Sequence, residues 1–152
     1  MPPVAIMMGS QSDEEIMKGC EEYLTQFGIS FETKILSAHR QPDETAQYAR
    51  EAASRGIQVI IAAAGMAAHL PGVVASLTTL PVIGVPLPAS ELRGVDALYS
   101  IVQMPAGIPV ATVSIGKTGA RSAAVLAAEI IALQDSSVRE KLVAFKKNGS
   151  KF

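Results

Sequence analysis

The chain has 152 residues, 49% of them hydrophobic and 18% charged, and its net charge is −1 at pH 7. This length is enough for one domain with a sizeable core, and this composition excludes an intrinsically disordered chain. We therefore predict a single domain over residues 1–152. The net charge of −1 gives no sign of the basic face that nucleic-acid-binding proteins present, so we predict no nucleic-acid partner.

Short apolar runs alternate with segments of helical spacing along the chain. The runs that predict strands are 4–8, 30–36, 58–64, 81–85 and 109–115. The segments that predict helices are 14–27, 42–55, 69–78, 95–102, 120–134 and 136–146. This alternation predicts an α/β protein with a single doubly wound, flavodoxin-like domain: a three-layer arrangement around a five-stranded parallel sheet.

Ligands of doubly wound sheets bind beyond the carboxyl ends of the strands, where the strand order reverses. We expect the strand order 2-1-3-4-5, which brings the loops after the first three strands together. The residues in these three loops are therefore the candidates for a functional site.

The first loop, "GSQSDEE" (9–15), combines a glycine turn with two hydroxyl side chains before a helix. Free N–H groups at a helix start attract anions, and Ser10 and Ser12 add donors, so the loop is a candidate phosphate site. Asp13 would repel a phosphate, so we expect it to contact sugar hydroxyls instead. The alternative is ordinary helix capping by Ser12 or Asp13.

The second loop, "SAHRQPD" (37–43), holds one of the two histidines. Ser37 can donate to an anion, His39 can move protons near neutral pH, and Arg40 can hold a phosphate in a bidentate manner. A capping histidine beside a solvated arginine is the alternative, and this loop alone does not exclude it.

The third loop, "AAAGMAAHLPG" (62–72), consists of small residues and ends with the other histidine. Small residues let a ligand approach the backbone closely, and His69 stands at a helix start. His69 could contact or orient a substrate, transfer a proton itself, or be purely structural. No cluster of Cys, His and carboxylates has metal-ligand spacing, so we predict no metal site.

Six segments, taken jointly and in order, resemble the bacterial form of the phosphoribosylaminoimidazole carboxylase catalytic subunit, the N5-carboxyaminoimidazole ribonucleotide mutase family. The segments are "MGSQSD", "SAHRQPD", "AAAGMAAHLPG", "PVIGVP", "GVDALYSIVQMPAGIPVATVSIG" and "GARSAAVLAAEI". This resemblance implies an intramolecular carboxyl transfer in de novo purine (IMP) biosynthesis, acting on a small ribonucleotide. It also implies that the enzyme needs no metal, ATP or organic cofactor, and that it assembles as a homo-octamer.

The resemblance also assigns roles to the site residues. It implies that His39 is the general acid/base, that Arg40 binds the substrate phosphate, and that Ser10 and Asp13 bind the ribonucleotide with help from Ser12. Backbone groups of the third loop would contact the base and carboxylate, and its last residues would close the pocket; these are Gly65, Ala67, Ala68, His69 and Leu70. Arg40 and removal from water both disfavour the imidazolium form, so we expect a neutral base at His39.

The sequence departs from the family pattern at Ala63 and Met66, where glycines are common, and at Ser122, where asparagine is common. Two other functions remain open from the residues. One is a non-enzymatic flavin or nucleotide carrier with a flavodoxin-like fold, which the absence of tryptophan disfavours. The other is a related carboxylase that uses free carbon dioxide, which the "SAHR" motif disfavours.

Localisation and assembly rest on three further features. The chain has no basic leader before an apolar region, and its longest apolar stretch, near 59–68, is too short to span a membrane. Cys20 is the only cysteine, and it is either a reactive thiolate or an inert helix position. A single cysteine fits a reducing compartment, so we predict a cytoplasmic protein with no membrane partner. Residues 122–133 are apolar almost all round, which indicates either an oligomer contact or a helix fully buried in a monomer.

Overall fold

The computed structural model describes all residues, Met1–Phe152, and contains one parallel sheet in the order β2-β1-β3-β4-β5. The strands are β1 (Val4–Met8), β2 (Phe31–Ile35), β3 (Val59–Gly65), β4 (Val82–Leu87) and β5 (Ala111–Thr112). The helices are α1 (Glu14–Phe27), α2 (Pro42–Glu51), α3 (Leu70–Leu77), α4 (Val95–Val102), α5 (Lys117–Ile131) and α6 (Ser136–Lys147). The predicted doubly wound fold and the predicted strand order are confirmed.

Helices cover both faces of the sheet, and the alternation of side chains along β1 shows how. Val4, Ile6 and Met8 contribute to a core shared with α1, α5 and α6. Ala5 and Met7 contribute to a second core shared with α2, α3 and α4. Successive side chains of a strand point to opposite faces, so all five residues of β1 are fully buried. This explains the wholly apolar sequence of the central strands.

Helix α1 matches its predicted bounds because local signals fix both ends. Glu14 and Glu15 lie in the first turn, where the helix dipole favours negative charge. Gly28 ends the helix in the left-handed conformation, with φ of 74°. Cys20 is fully buried on the inner face, and this burial, with a smaller contribution from Glu21, raises the pKa of its thiol. The structure therefore supports the inert position for Cys20 and not the reactive thiolate.

The helix predicted over 42–55 is too long. Helix α2 ends at Glu51, and the chain continues as one 3-10 turn over Ala53–Arg55. Gly56 ends this 3-10 turn in the left-handed conformation, with φ of 87°. The buried Ile57 follows and leads the chain back toward the sheet.

The strand predicted over 109–115 is also too long, because β5 contains two residues. It pairs only through Ile83–Ala111 and Gly84–Thr112. Pro86 on the neighbouring strand has no N–H to continue the ladder, and β5 lies at the sheet edge. Helix α5 then begins at Lys117, three residues before its predicted start, because Gly116 turns the chain there with φ of 77°.

The other sheet edge, β2, is fastened by a polar cluster. Glu32 on β2 accepts hydrogen bonds from the Tyr48 hydroxyl on α2 and from the Arg55 guanidinium, the latter at 2.7 Å. Partial burial raises the pKa of Glu32, but these two partners outweigh it and hold that pKa below its ordinary value. The cluster ties β2 to α2, and the loop that carries His39 joins those two elements.

No helix is both long and apolar enough to cross a bilayer. Helix α5 is buried along one side, and Val125, Leu126 and Ile130 pack partly buried against the same core. Leu133 is 75% exposed, so the apolar stretch 122–133 is only partly covered within the chain. Further exposed apolar side chains lie on one face of α4, at Val95 and Tyr99.

Gly119 offers a test of how α5 docks on the sheet. A Cβ at this buried position would lie 1.6 Å from the carbonyl oxygen of Ser114, and the backbone of Ser114 has little room to move away. We predict that Gly119→Ala destabilises the protein by roughly 3 kcal/mol or prevents folding, because overpacking forces the helix away from the sheet. Urea unfolding measures this effect, with Ser122→Ala at an exposed site on the same helix as the control. Equal stability of the two variants would contradict this account of the docking.

Candidate active site

The loop after β1 folds into a hydroxyl-lined turn. Ser10 is extended, with φ of −149°, and its Oγ accepts a hydrogen bond from the Ser12 N–H at 3.3 Å. The two serine hydroxyls lie 2.9 Å apart, and both residues are exposed. Asp13 follows as the residue before α1 and makes no side-chain capping bond. The capping alternative, which named Ser12 or Asp13, is therefore wrong in its residues: Ser10 caps the short turn, Ser12 lies within that turn, and the Asp13 carboxylate does not cap α1.

The loop after β2 is a tight turn held by its own serine. Ser37 Oγ accepts from the Arg40 N–H at 3.2 Å, and the Ser37 carbonyl accepts from the Gln41 N–H at 2.8 Å. The guanidinium of Arg40 forms no hydrogen bond or ion pair with the chain, so it is available to an anionic ligand. Ser37 therefore shapes the loop in addition to lining the pocket.

The loop after β3 begins at Gly65, where the chain passes close to the segment after β4. A Cβ on Gly65 would lie 2.6 Å from the Cβ of Ala89, so this approach requires glycine. Met66 follows with φ of 55°, a left-handed conformation that is uncommon for a non-glycine residue, and it is 58% exposed. The His69 N–H then donates to the Ala67 carbonyl at 2.9 Å, and α3 begins one residue later.

The two histidines meet across the rim of the sheet. Nε2 of His39 lies 2.6 Å from Nδ1 of His69, and the two rings are nearly perpendicular, at 86°. Because β1 lies between β2 and β3, the pair spans the crevice beyond the carboxyl end of β1. Both residues are exposed in the single chain, so the removal of His39 from water that we expected is not present in this state.

The three loops enclose a cavity of about 480 Å³, a size typical of small-molecule sites. The predicted site residues that line it are Ser10, Ser12, Asp13, Ser37, His39, Arg40, Gly65, Ala67, His69 and Leu70. Ala68 is the exception: it does not line the cavity, because its side chain turns inward and is 1% exposed in the α2–α3–α4 core.

Further lining residues were not predicted as site residues. They are Gly9, Ala38, Ala64, Met66 and Ala89. Ala89 follows β4, so the rule that found the first three loops would have found it if extended to the next strand. The small side chains among them carry no chemical signal that could single them out.

The cavity is lined by charged side chains of both signs. Arg40 carries an unpaired positive charge, and Asp13 carries a carboxylate that is partly withdrawn from water. This burial raises the pKa of Asp13 above its ordinary value of 3.8, although the backbone amide of Ser10 acts in the opposite direction. Together these side chains form a site that can hold an anionic group at Arg40 and accept hydrogen bonds from hydroxyl groups at Asp13.

The fold and this cavity define a doubly wound α/β protein with its candidate site at the switch point of the sheet. A profile of the AIR carboxylase family matches residues 3–151, and the relatives described next agree with it. The chain belongs to the AIR carboxylase family.

Two of the similar proteins are named as mutases and match over most of their length. An N5-carboxyaminoimidazole ribonucleotide mutase of Saccharolobus solfataricus is 55% identical over 97% of this chain and 92% of that protein. The mutase of Vibrio cholerae is 54% identical over 94% and 89%. A bifunctional purine synthesis protein purC/E of Dictyostelium discoideum is 56% identical over 96% of this chain and 15% of its own length. A crystal structure of Treponema denticola PurE superposes with a TM-score of 0.88 at 29% identity, covering 99% and 92% of the two chains.

The three departures from the family pattern lie in different environments. Ala63 is fully buried in the α1–α5–α6 core and does not line the cavity. Ser122 lies in a separate groove formed with α1 and α6 residues such as Tyr23 and Phe145. Only Met66 stands at the site itself. Ala63 therefore has no direct contact with the cavity.

Asp13 offers a pH-dependent test of the site's electrostatics. Because its pKa is raised on folding, the ionised carboxylate costs stability near neutral pH, and this cost disappears as pH falls below 3.8. We predict that Asp13→Asn is more stable than the wild type near neutral pH and equally stable in acid. Urea midpoints at the two pH values measure this difference, with Glu140→Gln at an exposed position as the control. A less stable Asp13→Asn near neutral pH would contradict the assignment.

Proposed function

We propose that this chain converts N5-carboxyaminoimidazole ribonucleotide to 4-carboxy-5-aminoimidazole ribonucleotide in de novo purine (IMP) biosynthesis. The observation that carries the proposal is the cavity, in which residues of the three family motifs converge from three separate loops. The names of the relatives at 54–55% identity support the same reaction.

The residues of the cavity divide the substrate between them. Arg40 holds the phosphate, since its guanidinium has no partner in the chain and forms bidentate bonds with phosphate oxygens. Ser10 and Asp13 bind the ribonucleotide and Ser12 assists, with Asp13 accepting from ribose hydroxyls. The remaining substrate contacts come from Ser37 and from the third loop, namely Gly65, Ala67, His69 and Leu70.

The reaction proceeds by loss and recapture of carbon dioxide. The bond between the exocyclic nitrogen and its carboxylate breaks, the nitrogen gains a proton, and carbon dioxide stays in the cavity. Ring carbon C4 then attacks the carbon dioxide, and a base removes the C4 proton. His39 is the general acid/base of these steps, since imidazole exchanges protons readily near neutral pH. Retention matters because an escaped molecule would return only from dilute solution.

Two other functions are weighed against this one. A direct carboxylase would take aminoimidazole ribonucleotide and free carbon dioxide, whereas the Saccharolobus solfataricus and Vibrio cholerae relatives are named as mutases. A flavin or nucleotide carrier needs neither histidine at the rim, and membership of an enzyme family argues against it. No metal or organic cofactor takes part in the proposed chemistry.

One assay tests the reaction and the division of roles. We predict that the purified chain turns over N5-carboxyaminoimidazole ribonucleotide without ATP, and that it does so faster than aminoimidazole ribonucleotide with bicarbonate. We expect His39→Asn to lower kcat roughly 100-fold or more, since proton transfer contributes about that much, while leaving substrate affinity near that of the wild type. Absorbance change on product formation gives kcat, and equilibrium titration gives affinity.

Arg40→Ala is the matched contrast in the same assay. Loss of a charge-assisted phosphate contact should weaken substrate binding about 10-fold to 100-fold. Wild-type rates in His39→Asn would remove His39 as the proton carrier, and unchanged affinity in Arg40→Ala would remove the phosphate clamp. Preference for bicarbonate over the carbamate would assign the chain to the direct carboxylases.

We also propose that residues 1–152 act as one domain that assembles as a homo-octamer in the cytoplasm. The apolar face of α4 supports assembly, because Val95, Tyr99 and Val102 follow helical spacing and are all exposed. Leu133 and Val143 leave further apolar surface on the C-terminal segment, which supports a contribution of those helices. The unpaired cysteine agrees with a reducing compartment.

Assembly is tested by light scattering. We predict the mass of eight chains for the wild type, and a smaller particle for Tyr99→Glu, because a charge in an apolar contact must be desolvated. Circular dichroism checks that the variant is folded, and Ser30→Glu at an exposed polar site is the control. A monomeric wild type would contradict the proposal.

A further inference from the structure

The side chains of His39 and His69 are in direct contact with each other. This contact is the only side-chain hydrogen bond that either ring makes, at 2.6 Å between Nε2 and Nδ1. A structural histidine at a helix start is expected to bond to the backbone, yet the His69 side chain does not cap α3. Its single partner is therefore the residue proposed to carry the proton.

A hydrogen bond between two imidazoles requires one N–H and one bare nitrogen. The neutral pair holds two protons, one in the bond and one on an outer nitrogen. A singly charged pair holds three, one in the bond and one on each outer nitrogen. Moving the bonded proton between the rings moves the positive charge from one histidine to the other without any movement of the side chains.

We infer that His69 is the second member of a two-histidine proton relay, which supplies the proton that His39 gives away and takes back the proton that His39 receives. This inference rests on the proposed function, in which a proton is needed at the exocyclic nitrogen and is released later from C4. His69 acts through His39 and is a positioning and relay residue, with His39 remaining the group that faces the reacting atoms.

The steps balance in protons and electrons. In the charged pair, Nδ1–H of His69 donates to Nε2 of His39, and His39 carries its own proton on Nδ1. When the N–C bond of the carbamate breaks, the electron pair stays on the nitrogen, which takes the Nδ1 proton of His39. The proton in the bond between the two histidines then shifts onto Nε2 of His39. The pair is now neutral. When C4 has bonded carbon dioxide, Nδ1 of His39 takes the C4 proton, the bonded proton returns to His69, and the cycle is complete.

Substitution of His69 separates a relay from simple positioning. His69→Asn keeps a polar side chain that cannot carry the proton, and His69→Ala leaves space for imidazole added to the buffer. We expect kcat of both variants to fall roughly 100-fold while KM changes little, and imidazole to restore turnover in His69→Ala only. In mixtures of light and heavy water, the wild type should give a curved dependence of kcat, from two protons in flight, and His69→Asn a linear one.

Each outcome decides between two explanations. Full activity of His69→Asn beside an inactive His69→Ala would overturn the relay and leave a positioning role. A linear dependence in the wild type, or no rescue by imidazole, would also count against the relay. Thermal unfolding of both variants checks that the fold is retained, as expected for an exposed residue. If the wild type itself does not turn over the carbamate, the proposed function fails independently of the relay.

Discussion

The reversal of strand order around β1 is the constraint on which the rest of the structure depends. The chain leaves β1 into a helix on one face of the sheet and leaves β2 into a helix on the other face, so a crevice opens above the end of β1. All strands run parallel, and their carboxyl ends therefore meet at this crevice. Three loops that are distant in sequence become neighbours, and each contributes a different type of chemical group.

The site is built with features that a purely structural surface would avoid. Asp13 keeps a carboxylate partly out of water, Arg40 has no ionic partner, and Met66 adopts a conformation that suits glycine better. The first and the third cost stability in the free chain, and all three residues lie in the same cavity. Their concentration at one place agrees with binding of a charged ligand, which would supply the missing partners. In the polar cluster at Glu32, by contrast, each charged group has a partner within the chain, and the cluster holds the edge strand β2 in position.

Local signals allowed much of the fold to be predicted. Helix α1 and helix α4 match their predicted bounds, because acidic residues, glycines and apolar spacing act within each segment. The length of β5 could not be predicted, since it depends on Pro86 of a strand that becomes its neighbour only in the fold. The burial of α5 likewise depends on how α1 and α6 pack against it.

The candidate site was predictable as a set of loops but not as a geometry. The resemblance and the strand order placed His39 and His69 at the same rim, yet their direct contact depends on side-chain conformations of residues 30 positions apart. Ala68 shows the opposite limit, because its neighbours line the cavity while its own side chain enters the core. A sequence pattern does not show whether a side chain points into the cavity or into the core.

The burial of Cys20 has a practical consequence for study of the cavity. The only thiol of the chain is inaccessible and hard to ionise, so maleimide and other thiol reagents should leave the native protein unmodified. A cysteine introduced at an exposed position would then be the single labelled site, with no need to remove the natural one. Met66, exposed at the mouth of the cavity, is a suitable position for a fluorophore that reports ligand entry.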